Sequence, residues 1–330
     1  MTWLVTGGAG FLGVHLLRNL AELGVAVRSL DLVRGCPDTV HEIVGDVRDE
    51  RVLKRALDGV DVVVHAAAAL PTGGSVEETN VSGSEHVARA AARMGVARAI
   101  LVSSGVVYGL GRSPLSETDE PRPIEAYGRS KLRAETAWLA EAPAPLVLRP
   151  AAFIGPERLG VFGILFRWIR EGRRIYVLGD GSNRYQLLDV SDLVSAILLA
   201  GASDVNGVVN VGGLVSGTVR EDLESLIEHA RSESRVVRVP ARPARLALSA
   251  LHSVRLSPLS TWHVHSADRD FVLDCARAAD ALGWSPARSG AEALCRAYDW
   301  YVEDGSTAAV GTTHRVAWRE RGLAALRRLS

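Results

Sequence analysis

At 330 residues the chain is long enough for one large α/β domain or two smaller ones. Hydrophobic residues make up 47% and charged residues 23%, a globular balance that excludes disorder and fibrous repeats. The 38 basic and 38 acidic residues cancel, which argues against a nucleic-acid or membrane-surface protein driven by bulk positive charge. The three cysteines, Cys36, Cys275 and Cys295, form no CxxC pair. Neither a disulfide framework nor a metal site is expected, and a reducing, cytoplasmic setting is the default. No apolar run reaches the ~20 residues a membrane helix needs. The N-terminus runs straight into a strand and a glycine turn, so no signal peptide is read there.

In chain order, Trp3-Leu4-Val5 reads as a short buried strand. Phe11 to Leu23 reads as a helix, with apolar residues at Leu12, Leu16, Leu20 and Leu23. Val25 to Leu30 is a strand, Val52 to Leu57 a short helix, and Val62-Val63-Val64 a buried strand. Ser75 to Met94 reads as a long helix, Ala99 to Val102 as a strand, Glu125 to Leu139 as a helix and Leu146 to Leu148 as a strand. Continuous apolar strands alternating with helices predict a parallel sheet covered on both faces, a Rossmann-type doubly wound fold. This defines a dinucleotide-binding region over 1–150. From 151 to 303 the rhythm loosens into a smaller, mixed α/β substrate lobe that interleaves with the first. Its expected elements include helices over Val161–Glu171, Ser191–Leu199, Arg220–Ala230 and Ala244–Val254, a strand at Val208–Val211, and two later helices ending near Tyr301. Residues 304–330 read as a polar peripheral tail.

The segment Gly7-Gly8-Ala9-Gly10-Phe11-Leu12-Gly13 joins the first strand to the first helix. Gly7 suits a tight turn, Gly10 a close approach to a pyrophosphate, and Gly13 close packing of helix on strand. The helix N-terminus then faces the phosphates. Asp31, at the end of the second strand, would accept hydrogen bonds from both ribose hydroxyls and repel a 2′-phosphate, so NAD is favoured over NADP. Arg34 nearby could soften that preference. Asp46 and Val47 would border the adenine. The small residues Ala66, Ala67 and Ala68 would let a dinucleotide cross the sheet edge.

Tyr127 and Lys131 stand four residues apart, on one face of the expected helix. A free phenol titrates near pH 10, and a neighbouring ammonium would lower that. Tyr127 could then move the proton of a secondary alcohol while hydride moves to or from nicotinamide. Lys131 could also hold the nicotinamide ribose. Ser103 and Ser104 end the fifth strand, where a hydroxyl could bond the reacting oxygen.

Together, Gly7-x-x-Gly10-x-x-Gly13, Asp31, Asp46-Val47, Ser103-Ser104-Gly-Val-Val-Tyr108-Gly109 and Tyr127-x-x-x-Lys131 resemble the extended short-chain dehydrogenase/reductase superfamily, the NAD-dependent epimerase/dehydratase group. The resemblance runs from residue 1 to about 303. It implies an NAD-dependent enzyme with Ser104, not Ser103, beside Tyr127 and Lys131 in the catalytic set. It also implies a structural and proton-relay role for Asn80, and a homodimer paired through the Ser75 and Tyr127 helices. Ala88, Ala90, Ala91 and Ala92 would allow that close approach.

Departures from the family narrow the reaction. Sugar-nucleotide dehydratases and decarboxylases resemble one another in an acidic residue just after the catalytic hydroxyl; here Gly105 and Val106 follow it, which disfavours dehydration. The asparagine usual after Arg149-Pro150 is replaced within Ala151-Ala152-Phe153. The arginine that holds a nucleotide diphosphate falls on Tyr185, with Arg184 one position off, so a bulge would be needed to aim it inward. Asn183 resembles the hydroxysteroid-dehydrogenase-like branch. Ala152, Asn183 and Arg184 are therefore the candidate substrate residues. Apolar residues in the second lobe (Phe153 to Trp168, and Leu246, Leu248, Leu251, Val254 and Leu256) read mostly as core, with some able to line a pocket. His263 and His265 lack a third metal ligand. The reading that follows is a ketoreductase or secondary-alcohol dehydrogenase acting on a small molecule without a nucleotide handle. The alternatives are a UDP- or dTDP-sugar 4-epimerase with retained NAD, and a non-catalytic dinucleotide sensor.

Overall fold

A computed structural model describes residues 1–69, 76–215, 217–253 and 260–304. The first half alternates strand and helix: β1 (Thr2–Thr6), α1 (Phe11–Glu22), β2 (Ala26–Asp31), β3 (His41–Val44), α2 (Glu50–Leu57), β4 (Val62–His65), α3 (Gly83–Arg93), β5 (Arg98–Val102), α4 (Ala126–Glu141) and β6 (Pro145–Pro150). Then come β7 (Ala152–Ile154), α5 (Phe162–Arg170), β8 (Arg174–Leu178), β9 (Leu187–Asp189), α6 (Val190–Gly201), β10 (Gly207–Val211), α7 (Val219–His229), β11 (Arg235–Val239), α8 (Ala241–Ser253), α9 (Thr261–Ser266), α10 (Ala276–Leu282) and α11 (Gly290–Glu303).

Seven strands pair in parallel in the order β10-β6-β5-β4-β1-β2-β3. The order reverses between β1 and β4, which opens a crevice at their carboxyl ends. Both faces are covered, which is why these strands are apolar without alternation. On one face α1 and α6 pack Leu16, Leu20 and Ile197 against Trp3, Val5 and Val62. On the other, α2, α3 and α4 bury Leu53, Val87 and Trp138 against Leu4, Val63 and Leu101. A third cluster, built on Phe166, Trp168, Tyr298 and Tyr301, holds α5, α7 and α11 together. The chain crosses back in the second half: β10 completes the main sheet beside β6.

Several local expectations shift. The long helix is preceded by a wider π turn over Glu78–Ser82, and Ser75 and 305–330 lie outside the described residues. The pairs β8–β11 and β7–β9 were not read from the sequence. Each strand is at most five residues long and pairs in a two-stranded sheet, so packing decides it more than pattern. Helix α8 is not core: Leu246 is 74% exposed and Leu248 half-buried, while Val254 and Leu256 lie outside the described residues.

Two buried polar groups brace the sheet near its carboxyl edge. Arg149 Nη2 meets Glu135 Oε2 at 2.6 Å, and its guanidinium lies 4.7 Å from the centre of the Tyr108 ring. Ser103 donates to the same Glu135, Tyr108 donates to Asn210 Oδ1 at 2.8 Å, and Asn210 Nδ2 donates to the Leu115 carbonyl at 3.0 Å. His65 ends β4, stacks on Trp138 with centroids 5.5 Å apart, and bonds Thr6 Oγ1 at 2.7 Å and Ser84 Oγ at 3.1 Å. Burial, with Lys131 nearby, pushes its pKa from 6.5 down to about 3. Between those values the unfolded chain binds a proton that the native one refuses, so stability falls as pH drops below 6.5. Denaturant unfolding should show about 2 kcal/mol lost between pH 7 and pH 5. In His65→Gln less than half of that drop should remain; an unchanged drop would remove His65 as its source.

Candidate active site

The glycine turn is set by the space around it. Gly7 has φ +75°, and a Cβ there would stand 2.7 Å from the Ala67 nitrogen. A Cβ on Gly13 would stand 2.2 Å from the Gly7 carbonyl oxygen, and one on Gly8 would stand 2.0 Å from Ser29 Oγ. The turn thus lies directly against the Ala66-Ala67-Ala68 segment that leaves β4, and Ala67 N donates to Thr6 Oγ1 at 3.3 Å. Gly10 caps α1 without a side-chain bond, so the first-turn amides of Phe11 and Leu12 are open to an anion.

Asp31 ends β2 half-buried. Its Oδ2 accepts from Ala9 N at 3.0 Å and its Oδ1 from Val33 N at 3.3 Å, which holds the carboxylate at the turn. Arg34 is 84% exposed and reaches Glu42 at 3.5 Å. Asp46 is bound by Arg48, which holds its carboxyl below the usual range, while Val47 is buried. These groups and the glycine cradle fit a dinucleotide with free ribose hydroxyls.

Tyr127 lies in the first turn of α4, and Lys131 one turn on. Lys131 is 3% exposed and donates to the Val102 carbonyl at 2.8 Å; burial pushes its pKa down to about 8. Tyr127 is half-buried, and burial pushes its pKa up to about 12. This reverses the expected lowering by Lys131: desolvation outweighs any cation, and the cation that opposes it is Arg158. Asn80 joins the site's parts. Its Oδ1 accepts from Ala69 N at 2.7 Å, and its Nδ2 donates to the Ala69 carbonyl at 3.2 Å and to Ser130 Oγ at 3.0 Å. Ser130 in turn donates to the Tyr127 carbonyl at 2.8 Å. The two serines after β5 separate: Ser103 is committed to Glu135, while Ser104 is half-buried and, among the described residues, its side chain accepts a long 3.4 Å bond from Val106 N. The neighbouring Gly105 faces Leu273 and Phe271, where a Cβ would meet their atoms at 3.1 and 3.2 Å.

The candidate substrate residues fare differently. Ala152 begins β7 half-buried. Asn183 is buried but donates to the Arg269 carbonyl at 3.0 Å, a loop-to-loop tie. Arg184 does not turn inward through a bulge: it is 54% exposed, and its Nη2 lies 3.7 Å from Asp270 Oδ2. Tyr185 turns inward instead, accepting from Trp262 Nε1 at 3.0 Å and packing on Phe271. His263 bonds Ser260 Oγ at 2.9 Å at the start of α9. Three residues here gave no sequence signal: Glu125, whose Oε2 accepts from Trp262 N at 3.1 Å, and the pair Phe271 and Leu273 against Gly105. Nor did Arg158, which lies on no motif.

The tightest backbone contact in the cradle, at Gly13, supplies a test. Gly13→Ala should lower NAD affinity by at least about tenfold in calorimetry, because the helix must withdraw from the turn that presents its amides. An affinity within threefold of the parent would show that the turn does not carry the cofactor.

Residues 3–212 match the NAD dependent epimerase/dehydratase family. Among curated proteins the chain is similar to the uncharacterized protein y4nG of Sinorhizobium fredii, at 33% identity over 98% of this chain and 85% of that one. Among solved structures it is similar to MoeE5 in complex with UDP-glucuronic acid and NAD, at 28% identity and a TM-score of 0.73, covering 92% of this chain and 99% of that one. It is likewise similar to the UDP-glucose 4-epimerase of Thermotoga maritima, solved with UDP-glucose, at 27% identity and a TM-score of 0.76, with coverage of 92% and 99%. With the cradle, the crevice and the Tyr127–Lys131 helix in place, the chain belongs to the NAD dependent epimerase/dehydratase family and is an NAD-dependent enzyme of the extended short-chain dehydrogenase/reductase type.

Proposed function

We propose that the protein is a sugar-nucleotide 4-epimerase that keeps its NAD and uses Ser104, Tyr127 and Lys131 on a carbinol carbon. Full-length similarity to enzymes of UDP-sugars supports this over the free-ketone reductase that the sequence first suggests. The observation that carries the choice of epimerisation over dehydration is Gly105. The place where a dehydratase would carry an acidic side chain is crowded by Leu273 and Phe271, which supports Tyr127 as the group that moves the proton.

When bound, NAD supplies a reversible hydride acceptor. Tyr127 takes the hydroxyl proton as the alcohol is oxidised and returns it to the ketone oxygen on reduction, which balances both half-reactions. Ser104 holds that oxygen. Lys131 uses one of its three protons on Val102 and keeps the others for the nicotinamide ribose. Asp31 takes the adenosine ribose, which supports NAD over NADP because Arg34 is turned to solvent and Glu42.

A second reading is favoured by one observation. Tyr185, which falls on the sequence position of a diphosphate-binding arginine, is bonded to Trp262, which supports an oxidoreductase for a substrate without a nucleotide. NMR of UDP-glucose or dTDP-glucose incubated with the purified protein separates the two. The 4-epimer should appear without added cofactor, and NAD should be recovered after denaturation. Turnover only of free ketones with added NADH would select the second reading.

The serines provide a sharper check. Tyr127→Phe should cost about a hundred- to ten-thousand-fold in kcat. Ser104→Ala should lower kcat with an unchanged melting point, whereas Ser103→Ala should lower the melting point and leave kcat within about threefold, since it removes a buried donor from Glu135. The opposite pattern would reassign the hydroxyl.

We also propose a homodimer through the outer flanks of α3 and α4. Ala88 and Ala91 turn into the chain's own core, so the close approach expected of them is made within the chain. The exposed flank carries Ala92 and the ion pairs Arg89–Glu141, Arg93–Glu50 and Arg133–Glu77. Sedimentation should give twice the chain mass; a single-chain mass at micromolar concentration excludes the dimer.

A further inference from the structure

Arg158 is 9% exposed, yet its Nε and Nη1 atoms are buried without a hydrogen-bond partner among the described residues. Buried guanidinium groups are ordinarily paired, because an uncompensated charge in a low-dielectric interior is costly. Among the described residues its close contacts are aromatic. The guanidinium carbon lies 5.2 Å from the ring centres of both Phe11 and Phe153, which stack on each other at 5.8 Å. Those rings come from the start of α1 at the glycine turn and from β7, so the cation sits at the crevice.

The backbone places it there deliberately. Glu157 adopts φ +68°, a left-handed conformation costly for a residue with a Cβ. That twist sends the Glu157 carboxylate outward to Arg18 and the next side chain inward. The adjacent acid is therefore not spent on neutralising Arg158. The groups that feel the inward charge are the Tyr127 phenol and His263 of α9, and burial pushes the guanidinium itself down to about 10. The cation thus lies between the glycine turn and β7, within electrostatic reach of the acid/base phenol and of His263 on α9.

We propose that Arg158 binds an anionic oxygen group of the substrate, a carboxylate or phosphate carried next to the carbon whose hydroxyl Tyr127 serves. The inference deepens the reading above and rests on its placement of the reacting carbon beside Tyr127. The planar fork can take two oxygens at once, while its face stays against Phe11 and Phe153. An acid substrate would thereby be selected over its neutral counterpart, since the neutral one leaves the charge unpaired.

The test uses NAD-loaded protein and two acid/neutral pairs: UDP-glucuronate against UDP-glucose, and D-glucuronate against D-glucose. In calorimetry the acid member should bind at least about tenfold more tightly in the parent, and in Arg158→Gln that preference should fall below about threefold. Arg158→Lys should keep part of it. The Gln variant should melt no lower than the parent, since a buried unpaired charge is removed; should it melt lower, the Lys variant carries the comparison. No acid preference in either pair, or a preference that survives in Arg158→Gln, overturns the proposal. So does a loss of tenfold or more in NAD affinity on Arg158→Gln, which would assign the cation to the cofactor's diphosphate. Epimer formation by the parent reports on the proposed function independently of this ratio.

Discussion

The structure turns on how closely two backbone segments can approach where the sheet reverses its order. The loop leaving β1 rests on the loop leaving β4 with no room for a Cβ at Gly7, while Gly8 abuts Ser29 of β2 and Gly13 abuts the turn itself. Everything that makes the crevice a nucleotide site follows from that contact. It tucks the first turn of α1 against the sheet, leaves its amides uncapped, and brings Asp31 across from β2 to accept from Ala9 N. The same loop after β4 is tied by Asn80 to Ser130, and so to the turn of α4 that carries Tyr127. Cofactor cradle and catalytic helix are thus one connected piece of backbone.

The buried charges divide by purpose. Arg149 and Glu135 are paired at 2.6 Å and supplied with further partners from Ser103 and Tyr108. Breaking either would strand a charge, but together they brace β5, β6 and α4. Lys131 and Arg158 are not neutralised in this way, and burial depresses the pKa of both. Such charges lower stability when left alone, and they are found where a ligand brings the missing partner. Tyr127 feels Arg158, but burial raises its pKa, so the phenol is an acid at rest. Oxidation of an alcohol there needs the local positive potential strengthened.

Residues after β6 fill space beside the catalytic helix. Phe271 and Leu273 crowd the position beside Gly105, and Tyr185 is bonded to Trp262 while Arg184 stays exposed. Trp262 N also bonds Glu125, two residues before Tyr127, so these residues are clamped to the catalytic helix.

Residues that interact through short spacing were legible in the chain. The glycine turn, Asp31, the Tyr127–Lys131 face and the apolar strands all follow from local geometry and period, and they identified the fold, the cofactor and the family. Ser104 was separable from Ser103 only by resemblance; the structure adds the physical reason, which is that Glu135 occupies Ser103. What the chain order could not express were contacts between distant segments: the orphaned fork of Arg158, the outward Arg184, the exposed α8, and the sign of the Tyr127 shift. Each depends on desolvation or on a partner tens of residues away. Burial is a property of the assembled layers and leaves no mark at the residue that experiences it.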